Sequence, residues 1–420
     1  MNALFRIALA SAWNRRSALL LMALSIALSA FLLLGVSRVR EAAHESFSAS
    51  VSGTDLIVGA RGSGLSLMLY TVFHIGDATQ NIDWKSARWL AAHPAVAWAL
   101  PVSLGDSHRG FPVLATEADY FKRFRYGADM SLRIVEGRAF DEVFDVTLGA
   151  EVAKKLGYRL GDRVVLTHGS GLDGGIEHAD KPFAVSGILA ATGTPVDRTL
   201  FISLAGMEAI HLDWQAGAPV AGMSIGAQFV KKFDLTPRNV TGVLVGLRSR
   251  AHVFAMQREI AAYREEPLMG VMPGVALDQL WQVAQGGERA LLLVSLAVAA
   301  VGLAGLVATL LAGLDARRRE LAILRSVGAG PRRMVLLLLI EGLGVTAFGI
   351  LLGWVSLCGV LALAGDALQA GWGIALQPFV PGLAQWWLIA GLLAAGLLAS
   401  LLPAWRAYRL SLADGLLPRI

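Results

Sequence analysis

Imidazoles and carboxylates crowded together are the side chains that most often carry metal or proton chemistry. In this chain His168, Asp173, Glu177, His178 and Asp180 occupy or flank a run, 168–175, rich in Gly and Ser. Such a run reads as a loop, and its nitrogens and oxygens are donors that a cation such as zinc takes. Their spacing matches no closed zinc site, so no metal is assigned. All eight histidines, His44, His74, His93, His108, His168, His178, His211 and His252, lie between 38 and 289. Exclusion of polar groups from lipid-spanning segments explains that distribution without any ligand.

No catalytic residue is assigned either, because the sequence contains no H-E-x-x-H or G-x-S-x-G pattern. The run Gly59-Ala60-Arg61-Gly62-Ser63-Gly64 follows an apolar stretch and has the flexibility of a phosphate cradle. No G-x-x-x-x-G-K-[ST] occurs in the chain, so that run reads as a turn. Glu341 stands inside an apolar run about two turns beyond Arg333, where an unpaired carboxylate is costly. It must pair with a basic group near the membrane face or stay neutral. A packing role is favoured over a proton relay, since one carboxylate makes no chain.

The elements that hold these residues follow from composition. Hydrophobic residues make up 55% of the 420, charged residues 16%, and the mean hydropathy is +0.56, a balance that belongs to a membrane protein. Crossing about 30 Å of hydrocarbon takes about 20 apolar residues. Runs of that kind occupy 17–37, 290–314, 334–365 and 386–403. Arg6, Arg15 and Arg16 precede the first run, Arg317, Arg318, Arg319, Arg325, Arg332 and Arg333 fill the link between the second and third, and Arg406, Arg409 and Arg419 follow the fourth. By the positive-inside rule those segments are cytoplasmic. The link 365–385 has no Lys or Arg, and Asp366, Trp372 and the adjoining Trp386 and Trp387 suit an outer loop with an interfacial belt.

A signal peptide is the competing reading of the first run. That run exceeds the roughly 7–15 residues of an h-region, and 35–40 offers no good small-residue cleavage site. Residues 2–13 read equally as an amphipathic helix on the inner face, with Leu4, Phe5, Ala8, Leu9 and Trp13 apolar, or as an ordinary flanking tail. The formal net charge of +5 is explained by the arginines beside the spans, so no nucleic-acid partner is implied.

Between the first and second runs, short β-rich stretches alternate with helical patterns, which predicts an α+β domain. Strands are expected over 55–60, 96–102, 112–116, 163–167, 183–189, 200–202, 240–247 and 269–272, and helices over 84–92, 150–156, 204–210 and 251–262. Cys358, the single cysteine, falls in the third span, so this domain has no disulfide and depends on its own core. The fold class expected is therefore four transmembrane α-helices with a large α+β extracytoplasmic domain between the first and second. Its parts are an N-terminal segment and first span over 1–37, an outer domain over 38–289, a membrane domain over 290–403 and a cytoplasmic tail over 404–420. Glycines at 302–305 and 349–353 would let helices approach closely, as in a dimer interface.

The link between the second and third spans is the most informative stretch. Leu321, Leu324 and Val327 recur at helical spacing beside a charged face, and Gly328, Gly330 and Pro331 supply a stop. A short helix over 315–333, lying across the cytoplasmic surface, is expected. A plain stop-transfer loop would need only the basic residues. Joined to two spans, such a helix can turn a push from a partner into movement of those spans.

The run R-R-R-E-L-A-I-L-R-S-V-G-A at 317–329 resembles the cytoplasmic motif R-R-x-E-I-x-x-L-x-x-x-G-A of the MacB/FtsX/LolC class of ATP-binding-cassette (ABC) permeases. The ending Pro403-Ala404-Trp405-Arg406-Ala407-Tyr408-Arg409, with Asp414-Gly415-Leu416 after it, is similar to that class's P-A-x-x-A-x-x and final D/E-A-L. Glu136-Gly137-Arg138, the run 148–153 and the run 156–164 look like a stretch of its periplasmic domain. The resemblance implies a stand-alone permease in the bacterial inner membrane, with both termini cytoplasmic. It implies a homodimer or heterodimer working with two copies of a separate ABC ATPase, which binds ATP and Mg; no cofactor is implied for this chain. Arg317, Arg318, Arg319, Glu320, Leu321, Ile323, Leu324, Arg325 and Gly328 become the ATPase-coupling residues. ATP turnover would then move the outer domain, a mechanotransmission in which substrate need not pass between the spans. Three roles stay open beneath that heading: export or extraction of a lipophilic, peptide or lipoprotein cargo, mechanical signalling to an outer partner such as a cell-wall hydrolase, and metal-linked transport. An enzyme would need a catalytic constellation, and a receptor a signalling domain for which the link is too short.

Overall fold

A computed structural model describes residues 16–50, 52–76, 78, 80–169, 175–215, 218–220, 225–316, 330–372 and 381–409. In chain order the elements begin with α1 (Arg16–Ser50), β1 (Leu56–Ala60), α2 (Gly64–Thr71), β2 (Ile82–Asp83), α3 (Trp84–Ala92), β3 (Val96–His108), β4 (Phe111–Thr116) and α4 (Tyr120–Arg123). There follow β5 (Arg125–Tyr126), β6 (Met130–Ser131), β7 (Ile134–Gly137), β8 (Asp145–Leu148), α5 (Ala150–Leu156), β9 (Arg163–Val164), β10 (Thr167–His168), β11 (Phe183–Leu189), β12 (Leu200–Ser203) and α6 (Leu204–Ile210). The series closes with β13 (Trp214–Gln215), β14 (Ala218–Pro219), β15 (Asn239–Val240), β16 (Gly242–Leu247), α7 (Val253–Ala261), β17 (Leu268–Val271), α8 (Pro273–Ala316), α9 (Pro331–Trp372) and α10 (Leu383–Arg409). The chain divides into two compact units, one drawn from Ala43–Ala284 and Leu368–Ala375, the other from Met1–Ala42, Gln285–Ala367 and Leu376–Ile420.

The inserted unit is built on one sheet in the order β17-β1-β16-β3-β4-β12-β8-β11-β7, with β10 added to β3 and β9 to β11. Neighbours are antiparallel except β4 with β12 and β8 with β11. Side chains alternate between two cores. Leu56, Val58, Val113, Val243, Val245, Leu200 and Ile202 enter one, beneath α3, α5, α6 and α7. Ile57, Leu100, Leu114, Phe201 and Leu244 enter the other, beneath α2 and α4, where Phe47 and Trp281 also pack. Burial on both faces is why β16 reads Gly-Val-Leu-Val-Gly-Leu with no polar alternation. The expected elements at 84–92, 150–156, 183–189 and 204–210 have those bounds, while β3 runs on from 102 to His108. That extension carries the site described below.

In the membrane-helix unit four helices are long and apolar enough to cross a bilayer. Their ends pass the runs read from hydropathy: α1 continues to Ser50 and α8 begins at Pro273. Glycines of α9 and α10 meet other helices of the same chain. A Cβ on Gly349 would stand 2.8 Å from the Ala23 carbonyl, Gly353 faces Ala27 and Ala30, Gly342 faces Ser400 and Gly396 faces Thr346. Gly302 faces Ser25 and Ser29, and Ser29 Oγ donates to the Val298 carbonyl at 3.3 Å. Of the glycines expected to let helices approach closely, Gly302, Gly349 and Gly353 do so against α1 of the same chain, whereas a Cβ on Gly305 would meet nothing within 4 Å among the described residues.

Candidate functional site

Four side chains from three parts of the inserted unit converge: Asp106, His168, His178 and His211, each offering one donor atom, all within 4.8 Å of one another. Among the described residues no other group of three or more His, Cys, Asp or Glu does so. Asp106 lies near the end of β3, just past a register shift between Leu104 and Asp106 that re-aims the strand. His168 is its cross-strand partner on β10. The chain then returns along β10 through the Thr167–Glu177 bridge, and His178 N donates to the Leu166 carbonyl at 2.9 Å. His211 caps the C-terminus of α6, a helix whose N-terminus is closed by the Ser203 hydroxyl accepting from Gly206 N.

The distances are those of a cluster with too few protons to join it. His168 Nδ1 lies 3.0 Å from Asp106 Oδ1 and 3.1 Å from His211 Nε2, and Oδ1 lies 3.7 Å from His211 Nε2 and 3.9 Å from His178 Nε2. His211 Nδ1 donates to the Met207 carbonyl at 2.9 Å. That bond fixes the neutral tautomer and leaves the lone pair of Nε2 facing the cluster. His178 Nε2 and Asp106 Oδ2 are buried with no hydrogen-bond partner. Trp214 packs against all three imidazoles, tilted on His168 and His178 and edge-on to His211, with ring centroids 4.8, 4.6 and 5.3 Å away.

Burial opposes ionisation of Asp106, yet the three histidines around it hold its carboxyl down to about 2. Burial lowers His211, against the opposing pull of Asp106. Beside the cluster, Lys181 is buried and bonds both oxygens of Asp213 at 2.8 and 3.0 Å. That pair pins the chain on either side of Trp214, since Asp213 also accepts from Ile225 N.

Of the five residues flagged by sequence, the structure brings His168 and His178 together. Glu177 is exposed, Asp180 pairs with Lys181 at 3.1 Å, and Asp173 lies outside the described residues. Asp106 and His211 were missed because they join the cluster only through sheet register and a helix end. Outside the cluster, His108 sits between the Val165 carbonyl and the Tyr158 hydroxyl, His93 meets Glu259, and His74 Nδ1 meets the Thr199 hydroxyl. In the membrane-helix unit Glu341 is 8% exposed within α9.

Comparison with known families places the whole arrangement. A family model described as FtsX-like permease C-terminal matches residues 292–412. A second, MacB-like periplasmic core domain, matches residues 19–263, more than half of the chain. The chain belongs to the MacB/FtsX class of ABC-transporter permeases. Among solved structures it is similar to the periplasmic region of MacB from Actinobacillus actinomycetemcomitans, at 12% identity and a TM-score of 0.34, covering 56% of this chain and 96% of that one. It is also similar to the extracellular domain of the noncanonic ABC-type transporter YknZ from Gram-positive bacteria, at 11% identity and a TM-score of 0.29, covering 52% and 98%. No curated protein matches. This MacB/FtsX-class permease is a multi-pass membrane protein with a large mixed α/β domain between its first two candidate spans. The expected ATPase-coupling residues, Arg317, Arg318, Arg319, Glu320, Leu321, Ile323, Leu324, Arg325 and Gly328, fall inside the FtsX-like match but outside the described residues. The expected N-terminal helix at 2–13 also lies outside the described residues.

Proposed function

We propose that this permease couples ATP hydrolysis by a separate ABC ATPase to movement of its inserted domain on the far side of the inner membrane. What carries the reading is the order of parts: one span, a MacB-like domain, then three spans matched as an FtsX-like permease. Arginines beside the ends of the spans orient both termini and the 317–329 link toward the cytoplasm, where the link meets the ATPase, its ATP and its Mg. The lengths of α1 and α8, 35 and 44 residues, exceed the roughly 20 that a bilayer needs. Both run on past the expected spans into sequence that belongs to the inserted unit. In this reading two copies of the ATPase serve a permease pair, formed by two such chains or by this chain with a second permease. The cargo is a lipophilic molecule, peptide or lipoprotein, handled by the inserted domain rather than threaded between spans.

The test is the double variant Leu321→Asp, Leu324→Asp, which charges the apolar face of the link. ATPase recovered with the tagged permease should fall at least about tenfold, as expected when a buried apolar contact worth some 1.4 kcal/mol or more is lost, while membrane insertion is unchanged. Undiminished co-purification of the ATPase with the variant would sink the assignment of this link.

A further inference from the structure

We propose that Asp106, His168, His178 and His211 form a binding site for one divalent transition-metal ion of the zinc class. Zinc takes imidazole nitrogens at about 2.0–2.1 Å and carboxylate oxygens at about 2.0–2.2 Å in a tetrahedron, which sets neighbouring donors about 3.3 Å apart. Measured separations of 3.0, 3.1, 3.7 and 3.9 Å bracket that edge. Hydrogen bonds alone do not account for the geometry. His168 Nδ1 has a single in-plane position, a proton or a lone pair, and it faces Asp106 Oδ1 and His211 Nε2 together. Both of those atoms are acceptors, because His211 spends its own proton on Met207. His178 Nε2 is buried beside them without a partner. One cation among the four atoms satisfies every lone pair at once.

The donor set selects the ion. Three neutral imidazoles and one carboxylate suit zinc and its neighbours in the first transition row. The single carboxylate provides too few oxygens for calcium or magnesium, and no thiolate is present for copper(I). The surroundings are those of a built site. The Met207 carbonyl orients His211, as supporting partners orient metal-bound histidines. Trp214 covers the three rings and the Lys181–Asp213 pair holds Trp214's segment in place. Access is graded: the side chains of Asp106 and His178 are 0% and 1% exposed, those of His211 and His168 23% and 35%. Two ligands thus form a dry floor and two an open rim through which the ion exchanges with solvent. Since the ligands come from β3, the two legs around β10 and the end of α6, occupancy ties those elements together and stabilises the domain by mass action.

The experiment uses the full chain, solubilised in detergent, purified through a tag free of histidine and stripped with a chelator. After equilibration with Zn²⁺ and gel filtration, mass spectrometry should find one equivalent per chain. Co²⁺ should occupy the same site with the visible absorption of a four-coordinate ion and be displaced by Zn²⁺. His178→Gln and His211→Gln should each weaken binding by more than the roughly 10–100-fold that loss of a mere supporting partner costs, whereas His252→Gln retains it. Trp214→Phe guards against variants that fail to fold: it should keep the metal and lose most of the Co²⁺-induced quenching of tryptophan fluorescence. Folded wild-type protein that retains far less than one equivalent, or full stoichiometry in both Gln variants, would overturn the proposal. No ATPase takes part, so failure here leaves the permease reading untouched, and failure of ATPase association leaves this one untouched.

Discussion

Lys181 is 1% exposed, and its ammonium is held by the two oxygens of Asp213, with the half-exposed Asp180 beside it. Burial works against the charge of Asp213, but the hydrogen bonds from Lys181 and Ile225 N keep its carboxyl below the usual carboxylate range. Removing one partner of a buried pair costs about 3–5 kcal/mol, because the other charge stays behind. Asp213→Asn should therefore lower the Tm of the inserted domain by several degrees, and Lys181→Met combined with Asp213→Leu should restore most of it; thermal unfolding of the purified protein measures both. His74 gives a pH dependence of known sign. Burial pulls it from 6.5 to about 4, with Nδ1 against the Thr199 hydroxyl at 2.8 Å. The unfolded chain binds this proton below 6.5 and the native chain only below 4, so stability is complete above 6.5 and falls as pH drops toward 4, by on the order of 3 kcal/mol. His74→Asn should flatten the decline of Tm between pH 7 and pH 5; an unchanged slope would show that other groups set it. His168 and His178 were visible in the sequence because one loop joins them. Asp106 and His211 were not, since their approach depends on which strand β10 pairs with and on where α6 stops, neither of which leaves a local signature. The nearest signal was polar Asp106-Ser107-His108, a few residues beyond the strand expected over 96–102, and β3 runs on to include it.

The elements themselves were legible where pattern and punctuation agree. The first half of β11 alternates buried with more exposed residues, and α5 ends at Gly157 with φ of 71°, the left-handed stop that glycine supplies. Short pieces were missed: β8 has four residues, all buried, and α2 is a single apolar stretch, neither long enough to show a period. The glycines of α9 were noticed, but their partners were not, because small residues announce close approach without saying to what. With α1 against Gly349 and Gly353, replacing either glycine by Leu should cost at least about 1–3 kcal/mol through overpacking. Gly359→Leu, where a side chain meets nothing within 4 Å, is the control. The fraction of each variant recovered as a monodisperse peak in detergent reports the difference, and equal recovery of all three would contradict the packing described.

For the whole molecule, hydropathy carried the reading furthest, since the bilayer forces long apolar helices whatever the rest of the sequence does. The inserted domain followed from the sequence only as a class, α+β, because its strand order rests on contacts between residues far apart in the chain. Coupling between an ATPase and that domain is the central claim. The most direct measurement is purification of the tagged permease from its native membrane in mild detergent, with mass spectrometry and an ATPase assay of what accompanies it. A stoichiometric ABC ATPase, active in the complex, is the result predicted. The chain recovered alone and without ATPase activity, under conditions that keep other ABC complexes intact, would contradict it.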